Sequence, residues 1–453
     1  MQTIWAETAL TSEGWQRDVL VTLDAGRIAT ITPGAAPQGN RVGCLLPAPA
    51  NAHSHAFQRA MAGLTEARGP DPRDSFWTWR QLMFRFLDRI TPEQVEAIAA
   101  FAQMEMLEAG YGTNVEFHYL HHQPGGVPYE EISEMCDRIA AAAEESGIGL
   151  TLLPVLYRQG GCDGRPLAGG QRRFGNDPDR FAHLAETARA HIAQGPDDWA
   201  FGIAPHSLRA VSPEAIRQAA ALAPTGPIHM HLAEQQAEVE EVQAAHGKRP
   251  VEWVLDHLAP DTRWHFIHCT QMTPDETTAL ARTGASAILC PLTEASLGDG
   301  IFDGVRWMGA GGRIAVGSDS NIRIALAEEL RQLETSQRLR DHCRAALATA
   351  DRSTGRRLFE AACKGGAAAA GRQTGALAPG HWADMLALDT SHPDLDGMTG
   401  DRILDSYIFA GDDRMVADVW SAGRHMVQDG RHVNRPAIEA AYRAAMRDLR
   451  AAP

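Results

Sequence analysis

VGCLLPAPANAHSHAFQRA, residues 42–60, passes from a continuously apolar run into two histidines one residue apart. A run with no polar alternation is what a parallel strand looks like when helices cover it on the outside. Seven further runs share this character: TNVEFH (113–118), GLTLLPVLY (149–157), WAFGIAPH (199–206), PIHMHLA (227–233), RWHFIHC (263–269), ASAILC (285–290) and RIAVGSD (313–319). Between them lie longer stretches such as TPEQVEAIAAFAQMEMLEAG (91–110) and PEAIRQAAALA (213–223), with apolar residues three and four apart and, in the first, Pro at a helix N1 position. With VGCLLPAPANAH (42–53) as the first strand, eight strand–helix units predict an α/β fold, a (β/α)8 TIM-type barrel.

The flanks follow a different pattern. DVLVTLDAGRIATITPG (18–34) contains two short strand-like runs around a turn at Ala25-Gly26, and residues 376–434 carry ADMLALD and MVADVWSAGRHMVQDGRH among Gly and Pro breaks. Neither flank can make a core alone. Residues 1–47 and 376–434 are therefore expected to pair into one small β-sandwich domain built from both chain ends, residues 48–375 to form a metal-dependent barrel, and residues 435–453 to form a terminal helix.

Composition removes several function classes. Forty-two Lys and Arg against 57 Asp and Glu give a net charge of −15, the wrong sign for holding nucleic acid by phosphate neutralisation. No apolar run approaches the ~18 residues of a membrane span, and the N-terminus has no basic start followed by an apolar stretch, so a cytoplasmic location is expected. The seven cysteines are scattered without a CxxC pair, which argues against a disulfide framework and against a zinc–thiolate site.

His53 and His55 end the first predicted strand, and its two-residue period points both imidazoles to one side. His231, His268 and Asp319 fall at the ends of the fifth, sixth and eighth strands, where barrel active sites are built. Each alone reads first as a buried histidine bonded to backbone, or as an aspartate capping a helix. Together they are a donor set from which four ligands suit Zn2+, leaving one position for water. His229, one layer deeper on the face of His231, reads as packing, and His265 as structural. His265 has the opposite parity to His268 only if that strand is regular. His118, His121 and His122 cluster with Tyr119 after the second strand, and His206 ends the fourth; all are candidates for the pocket.

NAHSHAFQRA, HMHLAEQ, FIHC and GSDSN, each at a strand end, resemble the amidohydrolase superfamily, whose members hydrolyse C–N and related bonds at one or two metals inside a (β/α)8 barrel. GALAPGHWADMLALD (375–389) and ADVWSAGRHMVQDG (417–430) resemble its β domain. The resemblance implies His53, His55, His231 and Asp319 as metal ligands, with Glu234, His268 and Asp319 as catalytic groups. Binuclear members bridge their metals through a carboxylated Lys or an acidic group ending strand three or four. Strands TLLPVLY and WAFGIAPH contain neither, and the only lysines are Lys248 and Lys364. One zinc ion per chain is the expectation, as in the deaminase branch, which also places a Glu three residues after the strand-five His, where Glu234 stands. Glu238, Glu240 and Glu241 read as a solvated helix face.

Within that branch the sequence is most similar to the formimidoylglutamate deiminase family, through NAHSHAFQRAMAGLTE, FWTWRQLM, EFHYLHHQPGG, APHSLRAV, HMHLAEQ and QRLRDHCRAAL. The implied reaction is hydrolysis of N-formimino-L-glutamate to N-formyl-L-glutamate and ammonia, by attack of a water activated by zinc. Its substrate carries two carboxylates, which planar guanidinium groups hold well, and Arg209 and Arg80 are placed for this. Gln58, Tyr119 and His206 match family positions that contact substrate. The implied partner is a small dianionic substrate, with no nucleic acid and no membrane, and a homodimer is left open. A purine or S-adenosylhomocysteine deaminase or a triazine-type hydrolase would share the ligands and Glu234 and differ only in the pocket arms. A catalytically silent scaffold would need no such set at all.

Overall fold

The computed structural model describes residues 2–66 and 83–451. Strands from both chain ends form one eight-stranded hydrogen-bonded path. Gln2–Thr11, Gly14–Asp24 and Arg27–Thr32 are consecutive antiparallel strands, the last pair joined at Ala25 and Gly26 in left-handed conformation (φ 45° and 76°). Both residues at positive φ is what the tightest hairpin turn requires. The two ends meet at Asn40–Pro47, parallel to Gln2–Thr11 and antiparallel to Met385–Leu388. From there the path runs through Val416–Ser421 to Arg424–Gln428 and Arg431–His432. Ile4, Val19, Val21, Leu45, Met385 and Trp420 form a buried cluster that residues of neither end could close alone.

The barrel strands are Ala50–Ser54, Thr113–His118, Gly149–Leu156, the pair Ala200–Phe201 and Ala204–Pro205, Ile228–Leu232, Trp264–His268, Ser286–Leu289 and Arg313–Val316. All neighbours pair in parallel. Bridges between Ile203 and Ile228 and between Ser54 and Asp319 close the ring of eight. The outer helices start as their sequences dictate. On Pro92–Glu108 the Thr91 hydroxyl accepts the Gln94 N–H (3.3 Å) and the Gln94 side chain accepts the Thr91 N–H (3.1 Å), a reciprocal cap that satisfies two otherwise orphaned donors. The final helix, Arg435–Arg450, docks on this one through Tyr442 stacked on Phe101, ring centroids 4.0 Å apart.

Two predicted strands are corrected. VGCLLPAPANAH is not one strand: Asn40–Pro47 belongs to the eight-stranded sheet and only Ala50–Ser54 to the barrel. Pro47 and Pro49 cannot donate to a ladder, and between them the Ala48 N–H goes to Asp384 O at 2.9 Å. The fourth strand likewise breaks at Gly202 and Ile203. No helix among the described residues is long and apolar enough to cross a membrane.

Candidate active site

At the carboxyl ends of the barrel strands three imidazoles converge, with the donor atoms of His53, His55 and His231 within 4.8 Å of one another and all three side chains buried. Their tautomers follow from what they touch. The His55 Nδ1 lies 2.9 Å from Phe117 O and the His231 Nδ1 lies 3.2 Å from His206 O. A carbonyl only accepts, so both Nδ1 atoms carry the proton and both Nε2 atoms keep a lone pair. Asp319 Oδ1 then faces His55 Nε2 at 3.3 Å and His53 Nε2 at 3.5 Å. Asp319 Oδ1 and His55 Nε2 thus face each other with no proton between them, and His53 Nε2 meets Asp319 only at a loose 3.5 Å. Burial pushes His53 down to about 3 and lowers His55 and His231 too, so all three are neutral, the form a metal requires. Three neutral imidazole nitrogens and a carboxylate fit one divalent cation of the zinc class.

His268 is built for another task. His231 pairs in register with Ile267, and Leu232 with His268, so plain alternation would send His268 away from the barrel mouth with Leu232. A left-handed backbone at His268 (φ 72°) turns the ring inward, and Asp319 is reached the same way (φ 48°). Non-glycine residues held in this region store strain and gather at functional sites. The His268 Nδ1 is 3.2 Å from Glu294 Oε1, while its Nε2 faces Glu234 Oε1 at 3.7 Å and Asp319 Oδ2 at 3.8 Å. Burial works against the charged ring, but the carboxylates of Glu234, Glu294 and Asp319 outweigh it and raise His268 to about 10. Burial also raises Glu234, so this pair holds a proton that the three neutral imidazoles do not.

The first and last strands must approach closely to bring His53 and His55 against Asp319. Asp319 N–H donates to His53 O and His55 N–H to Asp319 O, both at 2.9 Å. Asn51 binds Ser318 in both directions, its Nδ2 donating to Oγ and its Oδ1 accepting the Ser318 N–H (2.8 Å each); Asn321 Nδ2 donates to Ser54 Oγ at 3.1 Å. Gly317 permits the approach, because a Cβ there would fall 2.5 Å from the His53 backbone nitrogen. Gly317→Ala is therefore expected to cost ~1–3 kcal/mol of stability by overpacking. Urea unfolding measures it, and an unchanged midpoint would show that the strands have room.

Of the sequence-predicted pocket residues, Gln58, Tyr119, His206 and Arg209 line one cavity with His55, His231, Glu234, His268 and Asp319. Gln58 donates to the Tyr119 hydroxyl, and the His206 ring lies over His231, centroids 4.8 Å apart. Arg209 is buried, 7% exposed, in the field of Glu238, Tyr157 and Glu234, which keep it charged despite burial. Arg80 lies outside the described residues, as do Trp77 and Trp79. His118, His121 and His122 do not line the cavity; His122 binds Asn176 and His121 binds Val155 O. His229 donates to Ala369 O at 2.9 Å and packs on His265, structural roles for both.

Sequence reasoning missed the support. Glu238, read as part of a solvated face, is 3% exposed and accepts the backbone N–H groups of Ala233 and Glu234, which fixes the turn carrying Glu234. Glu294, on the short helix Pro291–Leu297, orients His268 and accepts the Cys290 N–H at 2.8 Å. Asp299 is buried beside Glu234 and raised to about 9, first by burial and then by that charge. Met83, Tyr157, Phe174, Thr293, Leu297 and Ser320 complete the wall. An acid on a helix next to a strand end was the one available signal for Glu294, and nothing in its spacing points to His268. Lys248 is an exposed partner of Asp256 and Lys364 lies on helix Thr354–Ala370, so neither reaches the donor set.

A closed parallel barrel with this donor set at its carboxyl end defines a metal-dependent hydrolase of C–N bonds. Residues 44–426 match the Amidohydrolase family, and the chain belongs to it. Residues 1–41 match the N-terminal domain of formimidoylglutamate deiminase HutF. Over its whole length the chain is 46% identical to the formimidoylglutamate deiminase of Pseudomonas aeruginosa, covering 99% of this chain and 100% of that one. It is 28% identical to a 5-methylthioadenosine/S-adenosylhomocysteine deaminase of Halobacterium salinarum, covering 83% of this chain and 81% of that one. Among solved structures, an amidohydrolase from Brucella melitensis superposes with a TM-score of 0.95 at 46% identity, covering 99% and 100% of the two chains. An adenosine deaminase from Xanthomonas campestris with bound zinc shares the fold at a TM-score of 0.83 and 22% identity, covering 100% and 99%.

Proposed function

We propose that the chain hydrolyses N-formimino-L-glutamate to N-formyl-L-glutamate and ammonia in this cavity. The observation that carries the proposal is the meeting, in one cavity, of the proton-free Nε2 atoms of His55 and His231 and of Asp319 with the proton-holding Glu234–His268 pair and the buried Arg209. His53, His55, His231 and Asp319 would hold one divalent cation, zinc in this proposal. When bound, it supplies a Lewis acid that polarises the formimino group and makes water acidic enough to attack near neutral pH.

The chain's own groups do the rest. Glu234, held by its backbone bond to Glu238, takes a proton from the attacking water on the carboxylate whose Oε1 faces His268 Nε2. His268, fixed by its Nδ1–H to Glu294, presents a proton at Nε2 toward the charge that develops on the reacting carbon's substituents. Addition of water across the carbon–nitrogen double bond gives a tetrahedral carbon. The first water proton passes from Glu234 to the terminal nitrogen as the carbon–oxygen bond forms; Glu234 then takes the remaining hydroxyl proton and delivers it to the same nitrogen, the carbon–nitrogen bond breaks, ammonia leaves and the formyl group remains. Arg209 pairs with one substrate carboxylate and Arg80 with the other, while Gln58, Tyr119 and His206 contact the rest. The substrate is a small dianion, so the reaction calls for no nucleic acid or membrane partner. A chain of seven free cysteines suits the reducing cytoplasm.

Ammonia release from formiminoglutamate, formiminoaspartate, guanine and S-adenosylhomocysteine by the zinc-loaded protein tests the assignment. Formiminoglutamate is expected to have the highest kcat/KM; turnover of a purine with none of formiminoglutamate would replace it. Selectivity has its own test. Arg209→Met removes a charge-assisted contact on a typical scale of ~1.5–3 kcal/mol, or roughly 10- to 150-fold in kcat/KM. The loss is expected with formiminoglutamate and not with a neutral formamidine lacking both carboxylates. Equal losses on both substrates would make Arg209 a part of the scaffold.

A further inference from the structure

The segment HYLHH (118–122) and helix Glu134–Ser146 build a second cluster of donors, behind the barrel wall. On strand Thr113–His118, Phe117 turns inward against His53 and His231, so alternation sends His118 outward to the helical layer. There His118, His121 and Cys136, all buried, place their donor atoms within 4.8 Å of one another, the spacing that also groups His53, His55 and His231.

The hydrogen bonding of the two rings leaves donors bare. His121 Nε2–H donates to Val155 O at 2.9 Å, so its Nδ1 keeps a lone pair, and that atom has no partner. His118 is bonded to the Leu120 backbone through one ring nitrogen, and its Nε2 has no partner either. Burial lowers both rings, His118 to about 3, so both are neutral. Two buried, proton-free nitrogens facing a thiol are costly to leave bare. The third comparable group, His268, Cys290 and Glu294, differs, because Glu294 Oε1 already takes the His268 Nδ1–H and the Cys290 N–H.

We propose that His118, His121 and Cys136 form a second metal site, separate from the barrel mouth, for a d10 cation of the zinc class. Two imidazoles and a thiolate suit that class, with water as the fourth ligand. On binding, the Cys136 S–H bond breaks, the sulfur binds the cation and one proton goes to solvent. The ion ties the segment after the second strand, which carries Tyr119 into the cavity, to helix Glu134–Ser146. No CxxC spacing announces this site; the fold alone brings a strand end, a loop and a helix together.

Cobalt(II) titration of the metal-free full chain tests it. Two equivalents are expected, with an ultraviolet thiolate-to-cobalt charge-transfer band that the barrel-mouth ligands, lacking sulfur, do not produce. Cys136→Ser is expected to take up one equivalent and lose the band while ammonia release from formiminoglutamate continues; Cys290→Ser is expected to keep the band. A band that survives Cys136→Ser and vanishes in Cys290→Ser overturns the proposal. Should Cys136→Ser fail to fold, the wild-type titration decides: a single equivalent without a charge-transfer band overturns the second site and leaves the barrel-mouth assignment standing.

Discussion

Glu234→Gln is expected to keep its metal and lose ~10²- to 10⁴-fold in kcat, the range a positioned general acid–base group contributes. Glu234 is 5% exposed, its carboxylate faces His268 Nε2 at 3.7 Å, and its turn is held through backbone N–H bonds to Glu238 that the substitution leaves intact. Gln fills the same volume but cannot take up and return a proton. Because Glu234 is absent from the proposed ligands, metal content after dialysis is expected to match wild type while ammonia release collapses. Metal and activity lost together would make Glu234 a ligand, and a wild-type rate would end its catalytic assignment.

His53→Ala is expected to remove the metal itself. The loss is expected to exceed the ~10- to 100-fold in affinity typical when a partner merely supporting a ligand is removed. His53 has no close hydrogen-bond partner at its ring nitrogens, and its Nε2 faces only Asp319, another proposed ligand, at 3.5 Å. At about 3 it stays neutral through the whole neutral pH range, so protons do not compete with the cation in wild type. Metal content by elemental analysis and ammonia release are expected to fall together, while circular dichroism reports an intact barrel. A variant that retains a full equivalent at the barrel mouth and turns over at the wild-type rate would remove His53 from the ligand set.

Residues that follow local periodicity are legible in the chain alone. His53 and His55 sit one strand period apart, His231 ends a run of apolar alternation, and Gln58, Tyr119, His206 and Arg209 follow strand ends and line one cavity. The donors converge because every parallel strand delivers its carboxyl end to the same mouth. Binary pattern and strand parity are properties of the sequence itself, so the barrel, the β domain from both ends and most of the donor set can be read from it.

What the chain pattern could not supply depends on contacts between distant segments. The run 42–53 looks like one strand, yet its halves serve different sheets, because Met385–Leu388, more than 300 residues away, claims the first half. His268 has the wrong parity for the site and enters it through a left-handed backbone that only the surrounding packing can hold. Glu238 and Glu294 look like ordinary helix acids, but burial and the N–H groups they accept make them supports of Glu234 and His268. Periodicity determined that His53, His55 and His231 face the barrel mouth; strain, burial and long-range hydrogen bonds, which exist only once the ring is closed, brought His268 and Asp319 to them and decided how the donor atoms meet.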